Sequence, residues 1–381
     1  MTGATRMAEP PLAGLVVLDT SRMLPGAILA RTLIDLGARL IKVEDPVGGD
    51  PLRHTPPLVD GIGAGFCACL RGAESIVLDL RDGAGAATLR RLARHADVVI
   101  ESFRPGVMAA WGLAPDRLLA ANPALVVCSM TGFGDREPWR TRPAHDINFI
   151  AATGLLERLR SSALPRVQIA DVTAALLAAT GILAALLRRQ RTGRGCHLDQ
   201  PLVTGPLPFL LWPLADASAG GLSLTDSLLA GACPAYRTYR CGDGLTLAVG
   251  ALEPKFWVEL VTLLELPELA GDGLDTGEAG AAAARAVERA LGSAPRDTWL
   301  ARAVAAGLPV APVAALDEVT GGPLLAQTGL LEQTPTPGGT PLSGPGPLVP
   351  ALGLTPARPA PRLGQDTETV LAAFGAAVRE P

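Results

Sequence analysis

Through its first 130 residues the chain alternates short β-branched apolar runs with stretches of helical period, and this alternation constrains the fold more than any other feature. LVVLD (15–19) is the first such run, followed by SRMLPG and the helical pattern AILARTLIDLGA. RLIKVE (39–44), SIVLDL (75–80), DVVIES (97–102) and LVVCSM (125–130) read as further strands, with a helix expected over 83–95. Helices of this length between strands let each strand run parallel to the last, so the pattern predicts βαβ units, a parallel sheet and functional loops at the strand C-termini. The expected fold class is α/β, a Rossmann-like large domain with a parallel sheet, joined to a smaller α+β domain. No G-x-G-x-x-G follows a strand and no Walker A sequence occurs, which leaves a dinucleotide or nucleoside triphosphate site with little support.

A long apolar helix is expected from Asp171 to about Arg191, ended by TGRG. Its apolar run, 172–187, is shorter than the ~20 residues of a membrane span and contains Thr173, Thr180 and Gly181, so no span is expected. GPLPFLLWPLADASAGG reads as a break, and PAYRTYRCGDGLTLAVGAL as a hairpin turning at Asp243-Gly244, with helices following to about residue 305. Residues 332–362 are rich in Pro and Gly and read as an irregular connection, and QDTETVLAAFGAAV as a closing helix. The organisation expected is a large domain over 1–205, a linker over 206–230, a small domain over 231–330, and over 331–381 a return segment whose helix rejoins the large domain.

A formal charge of −4 argues against a nucleic-acid partner, and the N-terminal MTGATRMAEPPLAG lacks a secretory pattern, which predicts a cytoplasmic protein. The six cysteines are scattered without a C-x-x-C, so reduced buried thiols are expected rather than a zinc site or disulfides. Lys42 and Lys255 are the only lysines, so a phosphate-bearing ligand must be held by Arg or backbone amides.

Chemistry could reside in few places. Of the four histidines, His54 lies in a loop, His95 at a helix end and His197 in the strand-like CHLD, whereas His145 leads from a loop into an apolar helix. Adjacent side chains on a helix diverge, so Asn148, rather than Asp146, is the expected partner of the His145 ring. Asp171 sits where a helix N-cap is expected, a position that also stabilises a carboxylate able to act as base or nucleophile. Glu253 ends the strand-like LTLAVGAL ahead of Pro254, where an acidic residue complements the helix dipole. Residue type alone leaves structural and catalytic roles open for all three.

PLAGLVVLDTSRMLPG, LIDLGARLIKVEDPVGGDPLR, ADVVIESFRPGVMAAWGL, NPALVVCSMTGFG, TGRGCHLDQ and PAPRLGQDTETVLAAFG resemble, in this order, the family III CoA-transferases (CaiB/BaiF superfamily). AHDINFIAATG and YRTYRCGDGLTLAVGALEPKFW are similar to the α-methylacyl-CoA racemase branch. The resemblance implies the interlocked homodimer fold of the family and an isomerase that moves a proton at the α-carbon of an acyl thioester through an enolate. It implies His145 and Asp171 as the two bases and Glu253 as support for the histidine, from the same or the partner chain. No metal or redox cofactor is required, and CoA enters only as part of a small-molecule acyl substrate. In the transferase branch the aspartate at this position instead attacks the thioester, so transfer through Asp171 is one alternative. A repurposed epimerase, isomerase or cyclase acting on a free or carrier-bound intermediate is another.

Departures from the family pattern bear on CoA. Positions where the family tends to place positive charge hold Asp45, Ala73 and Glu74, which predicts weakened CoA binding by repulsion. Arg53, Arg71 and Arg104 remain as candidate phosphate contacts. Only five methionines occur, which favours a shorter or stiffer acyl group than a fatty chain.

Overall fold

The structure, a computed structural model, describes residues 9–136, 138–159, 164–220, 223–322, 325, 328–352 and 358–377. It divides into two compact units, one formed by Met1–Pro208 with Gly322–Pro381 and the other by Phe209–Gly321.

The first unit is built on six parallel strands: β1 (Val16–Asp19), β2 (Arg39–Glu44), β3 (Glu74–Val77), β4 (Val98–Glu101), β5 (Val126–Ser129) and β6 (Cys196–Asp199). Their order is β3-β2-β1-β4-β5-β6, so the winding reverses between β1 and β4. Successive strand residues point to opposite faces, and both faces are apolar because both are covered. Val17, Leu40, Val98 and Val126 pack with α1 (Met23–Asp35) and a 24-residue helix, Ile169–Thr192. Leu18, Ile41, Val99 and Val127 pack with α2 (Gly83–Ala93) and the C-terminal helix, Thr367–Ala377, through Val370. The α/β parallel sheet is therefore as the strand pattern predicts.

The helices α3 (Asp146–Ala152) and α4 (Ile169–Thr192) carry the candidate site. α4 ends on Gly193 at φ 68°, the left-handed conformation that favours glycine. Among the described helices it alone is long and apolar enough to cross a membrane. Its Ala175, Ala178, Ala179, Ile182 and Leu186 are nonetheless buried in the core with α1, as in a core helix.

The second unit holds a three-stranded antiparallel sheet, β9-β8-β7 in order, formed by β7 (Tyr236–Arg240), β8 (Thr246–Gly250) and β9 (Val310–Pro312). Helices Pro254–Leu263, Glu278–Leu291 and Arg296–Ala305 complete its core around Tyr239, Leu247, Val249, Trp257, Val287 and Trp299. Asp243-Gly244 lies in the β7–β8 turn, with Gly244 at φ 82°.

Two expectations need correction. The 206–230 stretch is not an open linker: α5 (Leu207–Ala219) runs through Pro213, and two short 3₁₀ turns follow. Nor is 332–362 wholly irregular. β10 (Leu331–Pro335) and β11 (Pro341–Pro345) pair as a ribbon in the first unit. Proline is tolerated there because an isolated two-stranded ribbon is all edge. Asp60 anchors the ribbon, accepting from the Gly338 amide at 2.9 Å and the Thr340 hydroxyl at 2.9 Å.

Candidate active site

Two features of the first unit could do chemistry: a cavity at the sheet's C-terminal edge, and the helix starts that hold His145 and Asp171. The cavity, of about 250 Å³, opens where ligands bind in doubly wound sheets, across the loops after β1, β2, β3 and β4. Its floor is a buried ion network. Lys42 Nζ lies 3.0 Å from Asp19 and 3.1 Å from Asp50, and donates to the Ser21 carbonyl at 2.6 Å. Burial alone would push Lys42 toward neutrality, but the two carboxylates outweigh it and hold the ammonium charged. Met23 enters α1 at φ 65°, its amide donating to Asp50 Oδ1 at 3.1 Å. Gly26 is required beside it, since a Cβ there would fall 1.8 Å from Ser21 Oγ.

The cavity's exposed cations are Arg22 and Arg81, neither of them a residue picked out from the sequence. Asp45 stands between them, 3.5 Å from Arg22 and 3.2 Å from Arg81, and Asp79 also pairs with Arg81 at 2.8 Å. Phe103 and Trp111 meet edge to face at 4.9 Å in the wall, and the Arg22 guanidinium lies 5.3 Å from the Phe103 ring centre. Both arginines lie in loops that leave a strand C-terminus, those after Asp19 of β1 and Val77 of β3, and that placement was the available signal for them.

The candidate phosphate contacts Arg53 and Arg71 are corrected. Arg53 is buried, forked onto both oxygens of Glu44 at 2.7 and 2.6 Å, and bonded to the Pro361 carbonyl. Arg71 is wholly buried, 3.1 Å from Asp35 and 2.5 Å from Glu332. Both arginines bind the return segment instead of a ligand. Arg104 is exposed and does not line the cavity. Of the three departures, only Asp45 lies at the cavity. Ala73 is buried, and Glu74 opens β3 and pairs with Arg39 at 2.9 Å, at the opposite end of the strands. The repulsion expected from Glu74 is thus removed by geometry.

His145 is the N-cap of α3, extended and exposed at the loop end. Asn148 caps backbone, not the ring: its Oδ1 accepts from the His145 amide at 2.9 Å. Asp171 lies one turn further into α4 than expected, as the third helical residue after the N-cap Gln168. Asp146, set aside on sequence grounds because it neighbours His145, proves to join the two helices. Its Oδ1 accepts from the Asp171 amide at 3.0 Å, which brings the starts of α3 and α4 together. Burial, and after it the Asp146 carboxylate, push the Asp171 carboxyl up while His145 pulls it down, and together they hold it at about 6. His145 and Asp171 thus share one electrostatic site. Glu253 belongs to the second unit, where it is exposed and occupies the N-cap of Pro254–Leu263 without a side-chain cap bond.

The other histidines have structural surroundings. His54 Nε2 bonds the Gly48 carbonyl at 2.8 Å, His197 Nε2 lies 2.9 Å from Ser129 Oγ, and the His95 ring approaches Phe374. Among the described residues no three His, Cys, Asp or Glu side chains are grouped to hold a metal ion.

Comparison with known proteins bears on both features. The CoA-transferase family III model matches residues 12–367. The chain is 37% identical over 262 residues to alpha-methylacyl-CoA racemase of Homo sapiens, covering 67% of this chain and 65% of that protein. It is 32% identical over 342 residues to acetyl-CoA:oxalate CoA-transferase of Acetobacter aceti, covering 86% and 87%. A solved CaiB/BaiF family protein from Brucella suis has a TM-score of 0.81 and 31% identity, over 96% of this chain and 100% of that one.

Proposed function

This chain belongs to CoA-transferase family III, and we propose that it is an α-methylacyl-CoA racemase-like isomerase. The observation that carries this reading is the Asp146-bridged juxtaposition of His145 with an Asp171 whose carboxyl is pushed up to about 6. A general acid or base works best when its pKa lies near the working pH, and an aspartate raised from 3.8 to about 6 meets that demand. One of the pair takes the α-proton of the thioester; the C–H electron pair becomes the Cα=C π bond of the enolate, and the carbonyl π pair moves onto oxygen. The other returns a proton to the opposite face. Each turnover leaves the two groups with exchanged protonation states, so the reaction runs in both directions. The positive end of α4 favours negative charge beside Asp171. Glu253 is assigned to support the histidine in an assembled homodimer. The exposed Leu207, Phe209, Leu211, Trp212 and Leu214 along α5 support a second copy as the cover for that helix.

The same site can instead run the transferase reaction. An Asp171 with a pKa near 6 is mostly ionised at neutral pH and could attack a thioester to form a mixed anhydride. A further reading, a repurposed member with weakened CoA binding, is favoured by Asp45, which occupies both exposed arginines of the cavity. One experiment separates the three. Incubating a 2-methylacyl-CoA with the enzyme in deuterated water tests for α-deuteration, and hydroxylamine tests for a trapped acyl group. Deuteration without trapping supports the isomerase, and trapping at Asp171 supports the transferase. Neither result with any CoA ester, alongside turnover of a carrier-bound substrate, supports repurposing.

A further inference from the structure

On the proton-transfer reading of the first unit, on which this inference rests, we propose that Asp146 is a positioning residue for the His145–Asp171 pair. Its carboxylate caps α4 from the start of α3 and so places a negative charge beside Asp171. The first amides of a helix have no partner inside it, and the N-cap side chain ordinarily accepts from the second or third of them. Gln168, the N-cap of α4, makes no such bond. Asp146, 25 residues earlier in the chain, takes its place by accepting from the Asp171 amide at 3.0 Å, and Asp171 is the third residue of the helix. Asp146 is also the first residue of α3, directly after His145. One side chain therefore ties together the two helix starts that present the two bases.

The same contact brings a second carboxylate against Asp171. Among the described residues no cation pairs with Asp146, so its charge acts on Asp171 unneutralised. After burial it is the largest influence raising the Asp171 carboxyl, and His145 is the charged neighbour that opposes it. Other elements packed on α4 do not duplicate this effect. α1 carries Arg31 and Asp35, which bond each other at 2.8 Å. β6 carries His197, bonded to Ser129, and Asp199, which accepts from the Thr131 hydroxyl and the Asp135 amide. β5 and the 202–204 turn hold no charged side chain, and the arginines of α4 itself, Arg188, Arg189 and Arg191, stand at its far end.

Two substitutions separate the bridge from the charge. Asp146→Asn keeps an oxygen that accepts from the Asp171 amide but removes the charge, and Asp146→Ala removes both. In full-length protein labelled with ¹³C at the aspartate carboxyls, the Asp171 signal is the one lost in Asp171→Asn. Without substrate it should titrate near pH 6 in the unmodified protein, and about half a pH unit or more lower in Asp146→Asn. With a 2-methylacyl-CoA in deuterated water, the limb of kcat/KM against pH that belongs to Asp171 should move down by the same amount. Asp146→Ala should also lower the plateau rate of α-deuteration by about ten- to hundredfold, because the bases lose their alignment, and Asp146→Asn should recover most of that loss. An Asp171 signal that titrates alike in the unmodified protein and in Asp146→Asn would overturn the proposal, as would a folded Asp146→Ala with the unmodified plateau rate. The carboxyl titration needs neither turnover nor Asp146→Ala, so misfolding of that variant leaves the test intact. If the unmodified protein deuterates no substrate, the proton-transfer reading fails, while the titration still decides whether Asp146 acts on Asp171.

Discussion

Replacing Asp171 by Asn should make the protein more stable at neutral and alkaline pH while stopping proton transfer. Burial, with Asp146 close by, raises the Asp171 carboxyl from 3.8 to about 6, so the folded state binds that proton more tightly than the unfolded chain does. A group raised in this way stabilises the fold below its unfolded pKa, and that contribution is lost as pH climbs through the folded value. The loss therefore falls between about pH 4 and pH 6, and above it the ionised carboxylate costs on the order of 3 kcal/mol. Asn carries no charge to desolvate, although it forgoes about 0.3–1 kcal/mol of favourable interaction with the positive end of α4. The net expectation is a gain of about 1–3 kcal/mol, or a few degrees in Tm, absent at about pH 4 and complete by about pH 7. Urea and thermal unfolding of both proteins across that range, read by the same probe, give the comparison. Equal stability at every pH, or a gain largest in acid, would refute the assignment of a strained carboxylate to Asp171.

Asp45→Ala should strengthen the binding of free CoA by about tenfold, because it releases Arg22 and leaves Arg81 with Asp79 alone, whereas Glu74→Ala should leave binding unchanged. Calorimetry at low salt reads both, and equal effects of the two substitutions would contradict the placement of Glu74 away from the cavity. His145→Ala should slow α-deuteration by about 10²–10⁴-fold or leave exchange from one stereoisomer only, as mass spectrometry of each enantiomer would show. Arg71→Ala leaves Asp35 in the interior without that partner, so it should cost about 3–5 kcal/mol in denaturant unfolding.

Much of the first unit was legible in the residues because its signals are local. A β-branched run followed by a helical period records a buried strand and a one-sided helix within a dozen residues, and β1, β2, β4 and β5 lie within the expected runs. Asp243-Gly244 and Gly193 announced a turn and a helix end for the same reason, since each requirement is met by the residue itself. The His145, Asp171 and Glu253 candidates came from motif likeness, and periodicity carried no trace of them. Partnership across long separations was beyond reach. Arg53 finds the Pro361 carbonyl 308 residues away, and Arg71 finds Glu332, so both arginines read as free surface cations until the chain folded back on itself. Glu74 and Asp45 look alike as acidic substitutions, yet strand direction puts one at each end of the sheet and only Asp45 at the cavity. Adjacency misled about Asp146 as well. Side chains one residue apart diverge on a single helix, but the start of a second helix can approach one of them, and here the Asp171 amide does. Local sequence dictated which elements form, because burial and backbone preference act over a few residues. Tertiary packing decided which charges meet, because an ion pair depends only on where two side chains end in space.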